Sequence, residues 1–229
     1  GDIDQDDTTN AHGVITSTTG IAGANAYHVL YVDNSPVTAA TVIDGFTVTG
    51  GSATGEAVND QRGGGMFCAG YGRGIGPTCS PTLRNLVFSG NWALDRGGGM
   101  YNAKLSSGPN NPRLENCVFS GNTANDGGGM YNDGSSPTVV NCTFSDNESY
   151  LGGGMYNWND SSPTLANTIL WGNAANDISS ADIYQNGNTI TLKNCAVEKC
   201  SFDGGGQKTE TNPITGNPNL QPLDKDGNE

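Results

Sequence analysis

The sequence predicts an all-β fold, a parallel β-helix solenoid of about six or seven coils. Three observations predict it. The hexapeptide Gly-Gly-Gly-Met-Tyr-Asn occurs at Gly97–Asn102, Gly127–Asn132 and Gly152–Asn157, with a variant at Gly63–Cys68. A second motif alternates with it, at Pro81–Asn91, Pro112–Asn122 and Pro137–Asn147, with a degenerate copy at Pro163–Asn173. Glycine is abundant, at 35 residues, and Asn, Ser and Thr are frequent. Gly triplets, Pro, Asn and Thr are poor helix formers, which excludes helix-pair repeats.

The period sets the coil. One asparagine column runs Asn85, Asn116, Asn141, Asn167 and Asn194, in steps of 31, 25, 26 and 27 residues. The shortest step is nearly the bare turn of the solenoid, and the longer ones carry loops. Such a length suits three short strands and three bends. A sandwich would want hairpins between antiparallel neighbours, whereas identical motifs at one period imply in-register parallel stacking at about 4.8 Å per coil. Each coil buries its apolar side only against its neighbours, so residues 1–229 are expected to form one elongated domain. Within it, 1–40 reads as irregular or N-terminal coils, 41–200 as regular coils and 201–229 as a loop-rich end. The abrupt opening at Gly1 and close at Glu229 suggest a piece of a longer protein, and neither end reads as a cap.

Period-two alternation then separates inside from outside. Ile43, Leu83, Leu114, Val139, Leu165 and Leu192 form one inward column. Phe46, Leu86, Cys117, Cys142, Thr168 and Cys195 form a second, and Val48, Phe88, Phe119, Phe144, Leu170 and Val197 a third. Met66, Met100, Met130 and Met155 form a fourth. The intervening positions Arg84, Glu115, Val140, Ala166 and Lys193 vary freely, as outward positions should.

Charge narrows the partners. Lys and Arg total 10 against 23 Asp and Glu, a net charge of −13. That disfavours nucleic acid and anionic lipid, and is compatible with divalent cations or neutral glycans. No apolar run approaches the ~20 residues of a spanning helix, so no direct membrane insertion is expected.

The alternation of Gly-Gly-x-apolar with Phe-x-x-Asn resembles the repeat pair of chlamydial polymorphic membrane proteins and related bacterial surface proteins. Here the second motif stands as Phe88-Ser-Gly-Asn91, Phe119-Ser-Gly-Asn122 and Phe144-Ser-Asp-Asn147, while Leu170-Trp-Gly-Asn173 departs at its first position. The resemblance covers roughly residues 40–200. It implies a right-handed parallel β-helix, shared with pectin lyases, and an exported or surface-displayed module, often adhesive. The membrane-inserted C-terminal barrel of that family has no counterpart here.

Candidate chemistry is sparse. The asparagine columns read as structural ladders, because Asn tolerates the left-handed region and its amide can bond the copies above and below. Phe67, Tyr101, Tyr131 and Tyr156 each follow an inward Met, so they should point outward as an aromatic stripe, with Trp158 at its edge. That stripe is the candidate ligand face, for a polysaccharide or a cell-surface glycoprotein. Cys68 and Cys79 flank a Gly-rich loop and are the favoured disulfide, while Cys117, Cys142 and Cys195 read as buried small apolar residues. Asp2, Asp4, Asp6 and Asp7, and again Asp224, Asp226 and Glu229, offer oxygens to a hard cation such as calcium, with Asp2, Asp4 and Asp6 the candidate ligands. Asp95, Asp126 and Asp146 near bends, with Arg62 and Arg96 before two Gly triplets, are the only hint of a lyase or hydrolase site. His12 and His28 lie in the N-terminal segment, and no nucleophile–base pair is discernible. The expectation is an exported bacterial surface module in adhesion or glycan contact and non-catalytic. The alternatives are a polysaccharide lyase or hydrolase, or an element that self-associates through open coil ends.

Overall fold

The computed structural model describes residues 6–32, 37–69, 78–104, 110–177 and 181–214. They form a parallel β-helix of seven coils whose strands lie in three main sheets. The first sheet holds Leu30–Val32, Met66–Ala69, Met100–Ala103, Met130–Asp133, Met155–Trp158, Ile183–Asn186 and Cys200–Asp203. The second holds Val42–Asp44, Thr82–Arg84, Arg113–Glu115, Thr138–Val140, Thr164–Ala166, Thr189–Lys193 and Gln207–Thr211. The third holds Thr47–Thr49, Val87–Ser89, Val118–Ser120, Thr143–Ser145, Ile169–Trp171 and Ala196–Val197. The only helical elements among the described residues are two short 3-10 turns, Thr18–Gly20 and Val58–Gln61. Two strands fall inside the expected loop-rich C-terminal end, so the coils continue to Thr211.

Register follows the repeats. Met130 pairs with Met100 and Met155, and Phe119 with Phe88 and Phe144. The three Phe rings stack at 4.5 and 4.6 Å, nearly parallel, inside the core. The Gly triplets are required by the close approach of neighbouring coils. A Cβ on Gly129 would lie 2.5 Å from the Gly154 carbonyl oxygen and 3.1 Å from the Phe144 ring. One inward assignment fails: Phe46 is 62 % exposed. It belongs to the first coil, which has no further coil beyond it among the described residues, so alternation turns the ring toward the core without covering it.

Three asparagine ladders tie the coils together. Asn91, Asn122 and Asn147 each donate Nδ2–H to Oδ1 of the next coil's Asn, at 2.9 Å, and to a carbonyl of the Phe column. Asn173 ends this ladder on the buried carboxylate of Asp182, at 2.7 Å. Asp182 also accepts the backbone N–H groups of Glu198 and Lys199 at 2.9 Å. A second buried ladder joins Asn102, Asn132 and Asn157. The third lies outside, at the bend between the second and third sheets, where Asn85, Asn116, Asn141, Asn167 and Asn194 adopt φ between 50 and 56°. Their amides point the other way, each donating to the preceding coil.

The N-terminal segment lies against the side of the stack. The Ile15 carbonyl accepts from Ser89 Oγ at 2.8 Å, and Thr18 Oγ1 lies 3.2 Å from Thr123 Oγ1. Gly90 and Gly121 sit beneath this strap, and a Cβ on either would collide with the backbone of Ile15 or Thr16. The matching position one coil later, free of the strap, is Asp146.

Candidate functional site

The outer face of the first sheet carries the aromatic stripe. Tyr31, Phe67, Tyr101, Tyr131, Tyr156 and Tyr184 stand in register, one per coil, on the side opposite the Met column. His28 heads the ladder, stacked on Tyr31 at 5.0 Å and tilted against Phe67 at 5.3 Å. Its Nδ1 lies 3.1 Å from the Gly63 carbonyl oxygen. Burial lowers its pKa, against the raising effect of that backbone contact and of Asp60.

The outward direction is as expected, but the accessible strip is not there. Phe67 and Tyr101 are fully buried, Tyr131 is 1 % and Tyr156 6 % exposed. The cover comes from the residue that precedes each Gly triplet. Arg62, Arg96, Asp126 and Leu151 form a second column in bridge register beside the rings. The Arg62 guanidinium lies 5.4 Å from the Tyr101 centroid, and its Nη1 donates to the Tyr101 hydroxyl at 3.3 Å. The Arg96 guanidinium lies 4.9 Å from the Tyr131 centroid. Each arginine therefore leans over the tyrosine one coil ahead. Asp95 holds them there, with Oδ2 2.7 Å from Arg62 Nε and Oδ1 3.6 Å from Arg96 Nε. Arg96 Nη1 reaches Asp133 on the far side of the ring, at 3.5 Å.

Ring spacing changes along the ladder with this column. The pairs Phe67–Tyr101 and Tyr101–Tyr131, where arginines lean in, are 5.5 and 5.8 Å apart. The pairs Tyr131–Tyr156 and Tyr156–Tyr184, beside Asp126 and Leu151, are 4.7 and 4.8 Å apart. The stripe is accessible at its two ends, at Tyr31, which is 50 % exposed, and again past this point. Trp158 is 39 % exposed and packs at 6.3 Å against Tyr156. Tyr184 is half-buried, and its hydroxyl donates to Asp203 at 3.0 Å.

Carboxylates frame this end. Asp126 is half-buried, and burial pushes its pKa up to about 6, with Arg96 opposing and Asp95 adding to the rise. Burial likewise raises the phenol pKa of Tyr131 and Tyr156. Asp95, Asp126 and Arg96 thus do come together, whereas Asp146 sits on another bend, one of the positive-φ positions.

Cys68 and Cys79 are joined by a disulfide, with Cα atoms 5.6 Å apart. Cys117, Cys142 and Cys195 are buried free thiols and Cys200 is partly buried. Of the candidate cation ligands, Asp2 and Asp4, like Asp224, Asp226 and Glu229, lie outside the described residues, and Asp6 is exposed. Among the described residues, no three His, Cys, Asp or Glu side chains are grouped to hold a metal ion. No helix among them is long and apolar enough to cross a membrane.

The family model for a right-handed β-helix region matches residues 19–218. No curated protein and no solved structure matches the chain.

Proposed function

From the chain's place in the right-handed β-helix family, to which it belongs, we propose an exported bacterial surface module that contacts a polysaccharide or a glycoprotein glycan without catalysis. The observation that carries the reading is the end of the aromatic ladder. Trp158, at 39 % exposure, and the half-buried Tyr184 both pack on Tyr156. Aromatic rings with one free face and adjacent hydrogen-bonding groups suit the apolar face and hydroxyl rim of a sugar. Asp133 and Asp203 supply acceptors beside them, and the negative charge of the chain favours a neutral glycan over an anionic one. The contact face is thus narrower than the full stripe. It excludes Phe67, Tyr101 and Tyr131, which are buried.

The test is binding of neutral oligosaccharides to the chain by glycan array and calorimetry. Trp158→Ala is expected to weaken binding at least tenfold, while Trp92→Ala, at an exposed tryptophan elsewhere on the stack, leaves it unchanged. Equal binding by folded Trp158→Ala would remove the site from the ladder.

A second reading, a polysaccharide lyase or glycoside hydrolase, is favoured by one observation. Asp126, whose pKa is raised to about 6, lies near Arg96 and Asp95, and a carboxyl titrating near neutrality suits proton transfer. Turnover of a polysaccharide panel, with and without calcium, that is lost in Asp126→Asn would establish it over the binding reading.

A further inference from the structure

The inward column at the bend between the second and third sheets reads Leu86, Cys117, Cys142, Thr168 and Cys195. Its register is fixed on both sides. Glu115 stands opposite Val140 and Val118 opposite Thr143, so Cys117 and Cys142 face each other on successive coils. Neighbouring parallel strands lie about 4.8 Å apart, and a disulfide takes Cα atoms about 4.4–6.8 Å apart. The two side chains already meet. The Cys117 backbone N–H donates to Cys142 Sγ at 3.3 Å, and the two thiols hydrogen-bond each other. The remaining thiols are not matched in this way. Thr168 stands between Cys142 and Cys195 and takes the Cys142 backbone N–H on its hydroxyl, which puts Cys195 at twice the coil spacing, beyond the reach of a disulfide. Cys200 lies in the first sheet, opposite Ile183.

We propose that Cys117 and Cys142 are a second oxidation site of this chain, closing to a disulfide that staples one coil to the next. The oxidant is a disulfide, the same class that joins Cys68 to Cys79. The hydrogen bond from Cys142 lowers the Cys117 pKa, against the opposing effect of burial, while the same bond and burial keep the proton on Cys142. Cys117 is therefore the attacking thiolate. Its sulfur bonds one sulfur of the oxidant, whose S–S bond breaks and releases a thiolate. Cys142 then gives up its proton and attacks Cys117 Sγ in the mixed disulfide, and the second oxidant sulfur leaves. The two cysteines lose two electrons and two protons, and the oxidant becomes two thiols. Both side chains are buried, so exchange takes place before the coils close over them. The bridge joins residues 25 positions apart, one full coil, and restricts the unfolded chain over that loop. It lies in the core, so it stands apart from the proposed glycan contact at Trp158.

The full chain is folded in a buffer of glutathione and glutathione disulfide, at the ratio where Cys68–Cys79 forms. It is then unfolded and alkylated without reductant. Alkylation of Cys195 and Cys200 alone is expected, in place of all four thiols outside the Cys68–Cys79 bridge. Asp-N protease cuts between the two cysteines, at Asp126 and Asp133. It should release their peptides joined, lighter by two hydrogen atoms than the reduced pair. Cys142→Ser leaves a hydroxyl like that of Thr168 in the same column, so the coils are expected to form, and Cys117 should then be alkylated. Alkylation of both Cys117 and Cys142 in the parent, with Cys68–Cys79 joined, overturns the proposal. So does a bridge from either of them to Cys195 or Cys200.

Discussion

The guanidinium of Arg96 lies over the ring of Tyr131, 4.9 Å from its centroid, and reaches Asp133 beyond the ring at 3.5 Å. One arginine thus spans a tyrosine from side to side. Two cation–aromatic contacts of this kind explain why rings that face away from the core are still dry.

Arg96→Ala should therefore uncover Tyr131. The expected loss of stability is about 1–2 kcal/mol, the range for a partly desolvated cation over an aromatic ring. Iodide quenching of tyrosine fluorescence should rise in the same variant. Unchanged quenching would mean that something other than Arg96 shields the ring.

Phe119 sits at the centre of the core stack, 4.5 Å from Phe88 and 4.6 Å from Phe144. Phe119→Ala should cost about 3–5 kcal/mol by urea unfolding, because the packed coils on both sides cannot collapse into the space. A variant as stable as the parent would show the register to be wrong.

The buried and exposed asparagine ladders should respond differently. Asn122 Oδ1 accepts from both the backbone N–H and Nδ2–H of Asn91, and its own Nδ2–H reaches the Phe88 carbonyl. Asn122→Ala leaves these groups buried and unpaired, at a cost of at least about 3 kcal/mol. Asn141 is exposed and holds φ at 54°. Asn141→Gly keeps that backbone and loses two solvent-exposed hydrogen bonds, to Asn116 and from Asn167, whose groups water can satisfy, so its cost should stay within about 1 kcal/mol. Reversal of this order in thermal unfolding would contradict the ladder assignment.

Asp126 gives a pH dependence. Burial raises its pKa to about 6 in the folded chain, against about 3.9 for a free Asp. Between those values the folded chain binds the proton more tightly than the unfolded one, so this group's contribution to stability falls as pH rises from about 4 to 6. Asp126→Asn should be more stable than the parent at pH 7.5 and nearly equal to it at pH 4. An Asn variant no more stable at pH 7.5 would place the carboxylate in a favourable ion pair instead.

The strap can be tested at its glycine. Gly121→Ala puts a methyl group where the Thr16 backbone passes. Limited proteolysis is expected to release the N-terminal segment faster in this variant while the coils stay resistant. Asp146→Ala, one coil beyond the strap, should leave the cleavage pattern unchanged.

How legible each feature was depended on whether it repeats. Leu83, Leu114 and Val139 were assigned to the core because alternation within a strand and identity between coils say the same thing. Phe46 obeys the same alternation, yet a terminal coil lacks the neighbour that would cover it. For Tyr131, alternation gave the side of the sheet correctly. It could not show a second layer, because Arg62 and Arg96 gain their meaning only from their reach to the next coil. The signal was present as a column, Arg62, Arg96, Asp126 and Leu151, each just before a Gly triplet. The strap was not legible, since Ile15 and Thr18 belong to no repeat. The bend beneath it reads Gly90, Gly121, Asp146 and Gly172, all at positive φ, so glycine there answers to the turn and leaves no trace of the strap in the sequence.

The strap also constrains the order of folding. Ile15 meets a residue 74 positions later, and Thr18 one 105 positions later. Coils that pair with their immediate sequence neighbours close short loops and can propagate along the stack one after another. Ile15 can first meet Thr49, 34 positions on, but the strap is complete only once the coils that carry Ser89 and Thr123 exist. The N-terminal segment, made early during synthesis, is therefore seated in full only late, after the 105 positions that separate Thr18 from Thr123 have emerged from a ribosome or an export channel.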